Sequence, residues 1–599
     1  VNGKTETYVH DVIVIGAGGA GLRAAIEAKL QGVSVGLICK SLLGKAHTVM
    51  AEGGVAAALA NVEEKDNWKV HFRDTIRGGK FLNNYKMALL HAQEAPDRVN
   101  ELEAWGALFD RTQDGRILQR NFGGHRFPRL AHVGDRTGLE MIRTLQDKAV
   151  HLGIEVYMEC IITKLLKDGD KISGALGYWR TTGEFVLFKA KAVVLATGGF
   201  GKSYRVTTNS WECTGDGHAL AYQAGADLID MEFVQFHPTG MVWPLSDKGI
   251  LVTEGVRGDG GILKNSKGER FMFRYIPDLY KAETSDTEEE ANRWLAGDKS
   301  ARRPPELLTR DVVTKAIFKE IKEGRGSPHG GVFLDISSQR PVDYIKRKLP
   351  GMYHQFKELA GIDITKEPME VAPTCHYAMG GVRVDAETAA ATVPGLFAAG
   401  ECAGGMHGAN RLGGNSLSDL LVFGRRAGSG AAVYSKKLSN QPAVDMGEVQ
   451  QIQQQMLEPL KRSGGDSAYK IISDLQDMME QYVGIVREEK ELNIAIEKVQ
   501  QLKEKAKNVS APGERAYNPG WNYALDLNSL LTVSEAIILA AKERKESRGA
   551  LTRLDYPNTE EDWGKVNIII RKKGADMTGT KEPLPEMPQE LKSLLKETI

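Results

Sequence analysis

The stretch that most constrains this chain is Val12-Ile-Val-Ile-Gly16-Ala-Gly18-Gly-Ala-Gly21. The apolar run Val12–Ile15 predicts a buried strand, the Ala-rich run Leu22–Leu30 a helix, and Ser34–Cys39 a second strand. The glycines between them are spaced G-x-G-x-x-G. Gly16 lets the chain turn tightly, Gly18 lets backbone approach a pyrophosphate, and Gly21 lets the helix pack close to the strand. The free N–H groups and positive dipole end of that helix suit phosphate. A G-x-G-x-x-G alone arises by accident, but the strand–loop–helix–strand context here predicts a dinucleotide site.

Which dinucleotide stays open at this point. A site for NAD usually carries an acid roughly 20 residues past the glycines, near the end of the second strand, to hold the ribose. Here Lys40 and Ser41 stand there. That weakens NAD and leaves NADPH, whose extra phosphate favours a cation, and FAD, which can be held elsewhere along its length.

The 599 residues allow several domains, and 42% hydrophobic with 26% charged residues is the balance of a globular protein. The formal net charge of +0 argues against a nucleic-acid surface. No run approaches the length of an uninterrupted apolar membrane span, and no signal-peptide pattern opens the chain, which starts at Val1. Cys39, Cys160, Cys213, Cys375 and Cys402 form no C-x-x-C pair, so reduced thiols are expected, with no zinc or iron–sulfur site held by this chain alone.

Further motifs follow in order. Gly44-Lys-Ala-His47-Thr-Val-Met-Ala-Glu52-Gly53-Gly54 suggests backbone packed against a flat ligand, with His47 either a structural imidazole or a ligand contact just beyond the second strand. Residues 62–112 read as helical. Asn121-Phe122-Gly123-Gly124-His125 is a turn whose Phe122 could face a ring. Lys191–Gly199 is a second buried strand ending in glycines, and Asp216 in Thr214-Gly-Asp216-Gly217 either caps the helix His218–Ala224 or holds a ribose hydroxyl. Residues 276–309, acidic then basic with prolines, read as a mostly solvated excursion or a partner-facing arm. Arg310 opens a helix, whose first turn suits Asp311, and can project away from the body. The glycine-rich run His407–Ser418 leads into an apolar helix from Leu420, a second helix N-terminus approached by bare backbone. From about residue 447 long amphipathic helices predict a bundle: Glu448–Lys461, Ser467–Arg487, Asn493–Lys507 and Asn528–Arg544. Val566–Ile570 is a strand candidate in the charged tail.

Six separated motifs, in order, resemble the flavoprotein subunit of succinate dehydrogenase and fumarate reductase: His47-Thr-Val…Glu52-Gly53-Gly54, Gln235-Phe-His237-Pro-Thr-Gly, Thr253-Glu254-Gly-Val-Arg257-Gly, Arg310-Asp311, Pro373-Thr-Cys-His376-Tyr, and His407-Gly-Ala-Asn-Arg411-Leu-Gly-Gly-Asn-Ser416-Leu417. The resemblance runs through nearly the whole chain. It implies an α/β fold: a Rossmann-like FAD-binding domain (1–240 and 373–440) with an inserted α+β capping domain (241–372), a helical domain (441–545) and a small C-terminal domain (546–599). The implied cofactor is FAD bound covalently through His47, with Gly16, Gly18, Gly21, Lys40, Gly53, Gly54, Asp216, Glu401, Ser416 and Leu417 around it. The missing acid after the second strand is normal in that family.

The resemblance further implies that His237, Thr253, His376 and Arg411 clamp a small dicarboxylate, that Arg310 moves the substrate proton, and that Glu254 and Arg257 relay it. Two carboxylates leaving water need fixed donors and positive charge. Electrons are expected to leave through an iron–sulfur subunit to a quinone-reactive membrane anchor, placing the chain peripherally on the cytoplasmic face of the cell membrane. There are departures: the excursion is long for the family, and Leu551 stands where a histidine, thought to face the FAD end, is common. Glu52 occupies a position that holds Glu or Gln. The reading taken is oxidation of succinate to fumarate, and three others stand beside it. Fumarate reductase is the same machine run in reverse, L-aspartate oxidase is related but lacks the covalent histidine, and a non-catalytic nucleotide-binding or assembly subunit would have lost one or more of His237, Arg310, His376 and Arg411.

Overall fold

The structure, a computed structural model, describes residues 5–596. The strand expected at Val12–Ile15 runs Glu6–Ile15 and lies at the centre of a seven-stranded sheet. It pairs in parallel with Val35–Ile38 and with Phe185–Leu195, and Val35–Ile38 pairs in parallel with Glu155–Tyr157. Val12, Ile13 and Val14 are wholly buried, as a continuous apolar run in a parallel sheet covered on both faces should be.

The edge of Phe185–Leu195 away from Glu6–Ile15 is shared between two neighbours. Its first half pairs antiparallel with Lys171–Trp179, which continues to Cys160–Asp168. Its last residues, Val193–Leu195, pair in parallel with Leu396–Ala398, far along the chain. The helix Gly19–Leu30 packs on Asn415–Lys436. A Cβ on Gly428 would stand 2.2 Å from the Ala24 carbonyl oxygen, so these helices meet backbone to backbone.

The chain between the two halves of this body builds a second core, including Val256, Leu263, Val313, Ile317 and Leu334. It is built on an antiparallel sheet in the order Val234–Met241, Met369–Ala378, Val332–Asp335, Ile262–Lys264, with the helix Arg310–Glu320 packed on it. The two long strands of that sheet lead back into the first body.

The helices expected after residue 447 are present with shifted ends: Met446–Lys461, Ala468–Tyr482, Glu489–Ala506 and Pro519–Glu543. The last is long and apolar enough to cross a membrane, but most of its apolar window is buried inside the protein, where it serves as the central helix of the bundle. Residues 62–112 hold the helices Trp68–Gly78 and Tyr85–Ala104. Val566–Lys573 forms a hairpin with Asp576–Pro583 and adds to Leu228–Ile229, which ties the tail to the first body.

The excursion at 276–309 is solvated at Asp278, Leu279, Lys281 and Ala282 and in its middle, where the helix Glu288–Leu295 lies near the surface and Arg302 bonds Glu290 and Asp286. Thr284, Ser285 and its C-terminal end from Pro304 to Thr309 are enclosed. Arg303 donates to the Phe122 carbonyl at 2.9 Å and to that of His125. Through Arg303 the segment is tied as a strap across the two cores.

Candidate active site

A continuous cavity of about 420 Å³ runs from the glycine loop to Arg411. At one end its wall is backbone. Gly16 has φ +110°, and a Cβ there would stand 2.2 Å from the Ala196 carbonyl oxygen. A Cβ on Gly21 would stand 1.8 Å from the Gly16 carbonyl oxygen, so Gly21 supports the loop from behind without reaching the cavity. Gly18 borders the cavity, and its nearest obstacle is Thr48 Oγ1 at 3.2 Å. The helix starting at Gly19 has no acidic residue in its first turn and no side-chain cap, which leaves a positive end facing the cavity.

Lys40 and Asp216 meet here. The Lys40 ammonium donates to Thr214 Oγ1 (3.0 Å), Asp216 Oδ2 (3.0 Å) and Asp526 Oδ1 (2.9 Å). Burial opposes its charge, but the two carboxylates hold it above the usual lysine range. Asp216 does not cap its helix, since the cap is Gly215 at φ +78° with no side-chain bond. Of the two roles open for it, capping is therefore removed.

His47 lies on a short turn, His47–Met50, at the middle of the cavity. The Ser210 N–H lies 3.4 Å from its Nδ1, and burial, with Lys202 nearby, pushes its pKa down to about 4. The imidazole is neutral at pH 7. Opposite, Gly53 leaves room for Phe122, because a Cβ there would meet that ring at 2.8 Å, and Gly54 (φ +133°) lies against the Ala131 carbonyl, 2.8 Å from where its Cβ would stand. Arg120 donates to the Glu52 carbonyl at 2.6 Å and to the Gly53 carbonyl. The Glu52 carboxyl lines the cavity and is pushed well above its usual range by burial and by Asp135. Ser416 and Leu417 begin the helix Asn415–Lys436, whose first turn also lacks an acid. Glu401 accepts from the Ala378 N–H at 2.9 Å, and burial pushes it up to about 7.

The other end is built of charged side chains from separate segments. His237 and His376 stand on the paired strands Val234–Met241 and Met369–Ala378 with ring centres 5.0 Å apart. His376 Nδ1 bonds Thr208 Oγ1 at 2.8 Å, and His237 Nδ1 faces the Thr239 carbonyl at 2.9 Å. Burial, then the Arg310 charge, holds both imidazoles well below their ordinary pKa. Thr253 borders the cavity beside them. Arg411 lies 4.0 Å over the Tyr377 ring and donates to Ser416 Oγ and to Gln235 Oε1 (3.3 Å). Burial and Arg310 push Arg411 down to about 9.

Arg310 donates through Nε to Glu254 Oε2 (2.8 Å) and through Nη1 to Gln235 Oε1 (3.1 Å). Glu254 also accepts from the Gly123 N–H at 2.6 Å. Burial works against its charge, but Arg310 and Arg257 keep its pKa below the usual value. Arg257 stands behind, 3.7 Å from Glu254 Oε2 and outside the cavity wall, anchored on the Glu306 carbonyl at 2.6 Å. Two arginines on the wall against one carboxylate leave net positive charge, which suits a small dianion.

Two expectations are corrected here. Arg310 does not project away from the body; it is 6% exposed, because Glu254 and Gln235 capture it inside. Leu551 does not face the cavity; it is wholly buried in the main core, where an apolar side chain fits. Gln235, which joins Arg310 to Arg411, has no role assigned from sequence although it stands in the motif with His237. The Gly123 N–H leaves no sequence signal, since backbone donors carry no residue identity. The five cysteines are free and buried, and among the described residues no cluster of metal-ligating side chains is present.

The cavity fits an elongated dinucleotide with a flat ring system: a bare-backbone loop and helix N-terminus at one end, glycines and Phe122 midway, a second helix N-terminus beyond. Residues 11–417 match the FAD binding domain family, and 472–592 match the fumarate reductase flavoprotein C-term family. One subunit of the fumarate reductase (CoM/CoB) of Methanothermobacter marburgensis is 44% identical over 95% of this chain and 98% of its own. The succinate dehydrogenase flavoprotein subunit of Rickettsia bellii is 36% identical over 94% of this chain and 93% of its own. The solved structure of Mycobacterium smegmatis Sdh1 in complex with UQ1 aligns with a TM-score of 0.84 and 57% identity, covering 97% of this chain and 95% of that one.

Proposed function

Because the chain belongs to the family of succinate dehydrogenase and fumarate reductase flavoprotein subunits, we propose that it oxidises succinate to fumarate as a succinate dehydrogenase flavoprotein subunit. In this reading FAD is attached through His47, and electrons leave through an iron–sulfur subunit to quinone at a membrane anchor. The chain then sits peripherally on the cytoplasmic face through those partners. The observation that carries the reading is one continuous cavity joining a bare-backbone dinucleotide cradle to the Arg310–Arg411–His237–His376 cluster.

FAD, when bound, supplies the acceptor for two electrons and one hydrogen. The protein does the rest. Arg411, His376, His237 and Thr253 hold the two carboxylates, with the neutral imidazoles acting as hydrogen-bond partners and Arg411 as the charge. Fixing the substrate between them sets its C–H bonds in a reactive geometry. Arg310 takes the proton from the carbon next to the one that loses hydride while giving up its own Nε proton to Glu254, which accepts from it at 2.8 Å. A free guanidinium is a poor base, but Arg310 is bonded at 2.8 Å to Glu254, which stands between it and Arg257. The three form a path from the cavity inward along which a proton can be passed.

Fumarate reductase is the same site run in reverse. The 44% identity to a fumarate reductase subunit supports that direction, and the 57% identity to the Sdh1 structure, which contains UQ1, supports succinate oxidation. An anaerobic titration tests the site. Succinate should bleach the oxidised-flavin absorbance and fumarate restore it, with aspartate and NADPH without effect. Flavin-loaded protein that succinate leaves oxidised would overturn the reading. Comparing turnover with a quinone acceptor against turnover with a low-potential quinol donor then decides direction.

A further inference from the structure

Among the contacts that join the strap at 276–309 and the helix behind Arg310 to the first body is one side chain, Lys80, that the proposed reaction does not use. The helix Trp68–Gly78 ends in a turn where two successive non-glycine residues, Lys80 (φ +56°) and Phe81 (φ +63°), are left-handed. Such backbone is unfavourable for L-residues and persists only where surrounding contacts hold it. Here it aims the Lys80 ammonium at the second core. Lys80 Nζ lies 3.2 Å from Asp311 Oδ2, 3.4 Å from Thr309 Oγ1 and 2.9 Å from the Tyr280 hydroxyl. An ammonium has three N–H donors, so these three partners use all of them. The Lys80 carbonyl in turn accepts from Arg548 at 3.1 Å.

Two of those partners, Thr309 and Asp311, flank Arg310 in sequence. The Arg310 guanidinium is held at its tip by Glu254 and Gln235, while Lys80 holds the backbone from which it grows. The Lys80 side chain is 15% exposed and that of Asp311 5%, so water screens the pair weakly.

We propose that Lys80 is a positioning residue for Arg310: from the cofactor-binding body it clamps the residues on either side of Arg310 and so sets the distance between the proton-transfer group and a substrate seated on Arg411 and the two histidines. This rests on the proposed function, since Arg310 matters as a proton carrier only if succinate or fumarate is the substrate. Lys80 touches neither the cavity nor Glu254. Its loss should therefore act on the chemical step and spare substrate affinity and cofactor retention.

The test uses the assembled complex, with the variants Lys80→Met, Lys80→Arg, Asp311→Asn and the Lys80→Met/Asp311→Asn double. Lys80→Met should lower kcat for succinate oxidation about tenfold, within the range that small misplacement of a reacting group costs. KM and the dissociation constant for malonate, a non-reacting dicarboxylate, should stay within about twofold. The kinetic isotope effect with perdeuterated succinate should rise, because C–H cleavage becomes more fully rate-limiting. Lys80→Arg should keep most of the activity, and the double variant should be no slower than Lys80→Met, because both remove one interaction. Flavin content and the dithionite-reduced spectrum should match wild type.

Wild-type kcat and isotope effect in Lys80→Met would overturn the inference. So would equal losses in Lys80→Met and Lys80→Arg, or a loss that tracks lost flavin. If Lys80→Met does not assemble, Asp311→Asn carries the same kcat and isotope-effect test. Wild-type complex whose flavin is reduced by dithionite but not by succinate would instead overturn the functional reading, and this role with it.

Discussion

The two ends of the cavity are made of different material. The proposed cofactor end is backbone: Gly16, Gly18, Gly53 and Gly54 line it without side chains, and Gly21 supports the loop from behind. The proposed substrate end is charge: Arg310, Glu254, Gln235 and Arg411 come from four segments and hold each other. Backbone sites are set by sterics, so they fail by not folding. Charge networks are set by mutual pairing, so a single truncation leaves a folded protein with an idle site.

That contrast is sharpest at Arg310. Arg310→Ala should lower succinate turnover about a thousandfold, roughly 4 kcal/mol on the barrier, with flavin content preserved. Near-normal turnover in flavin-replete protein would remove its proton role. At the cofactor end, Gly21→Ala should cost about 3 kcal/mol or more of stability, since a 1.8 Å approach to the Gly16 carbonyl cannot be relieved by a rotamer change. Gly18→Ala, whose Cβ meets only Thr48 Oγ1 at 3.2 Å, should fold and lose FAD affinity instead. Thermal melts and flavin retention separate the two; equal behaviour would break the distinction drawn between the glycines.

His47 stands between the ends. His47→Ser should retain FAD that acid denaturation releases, whereas the unmodified protein should keep its flavin attached. Succinate oxidation should fall about tenfold further than fumarate reduction, about 1.4 kcal/mol of differential effect, read from turnover in both directions. A further effect is on stability against pH. Burial pushes His91 down to about 3, with Nε2 bonded to Ser418 Oγ at 2.7 Å. An imidazole whose folded pKa is depressed takes up a proton only on unfolding, so its stabilisation is complete above the unfolded value of 6.5 and is lost as pH falls below it. At pH 5 the loss from His91 should be about 2 kcal/mol. Melting temperatures of wild type and His91→Gln across pH 5–8 check this, and the variant's acid-side slope should be shallower.

How much of this is legible in the sequence follows the same division. The strand, glycine loop and helix around Gly16 are readable because each depends on neighbours within about ten residues. The bundle helices are readable from their periodicity, though their ends differ by several residues. Arg310 reads as outward-facing because helix position alone says nothing of Glu254 and Gln235, 56 and 75 residues away. The strap reads as solvated because its charges look hydrophilic, and only the fold reveals that Arg303 reaches the Phe122 and His125 carbonyls. The positions of the substrate-end residues come from resemblance to a family; their pairing comes from structure.

The shared strand Phe185–Leu195 has a consequence for how the protein is made. The sheet that carries the glycine loop is completed only when Leu396–Ala398 pairs with Val193–Leu195, and the second helix N-terminus at the cavity belongs to Asn415–Lys436. At a synthesis rate of about 5–20 residues per second, Leu396 leaves the ribosome roughly 20–80 s after the first strand. Through that interval the nascent chain exposes an open sheet edge and half a cofactor site, while the second core, encoded between the halves, can already collapse. The complete cavity, and with it the full set of contacts to a bound dinucleotide, can form only after Asn415–Lys436 has been made.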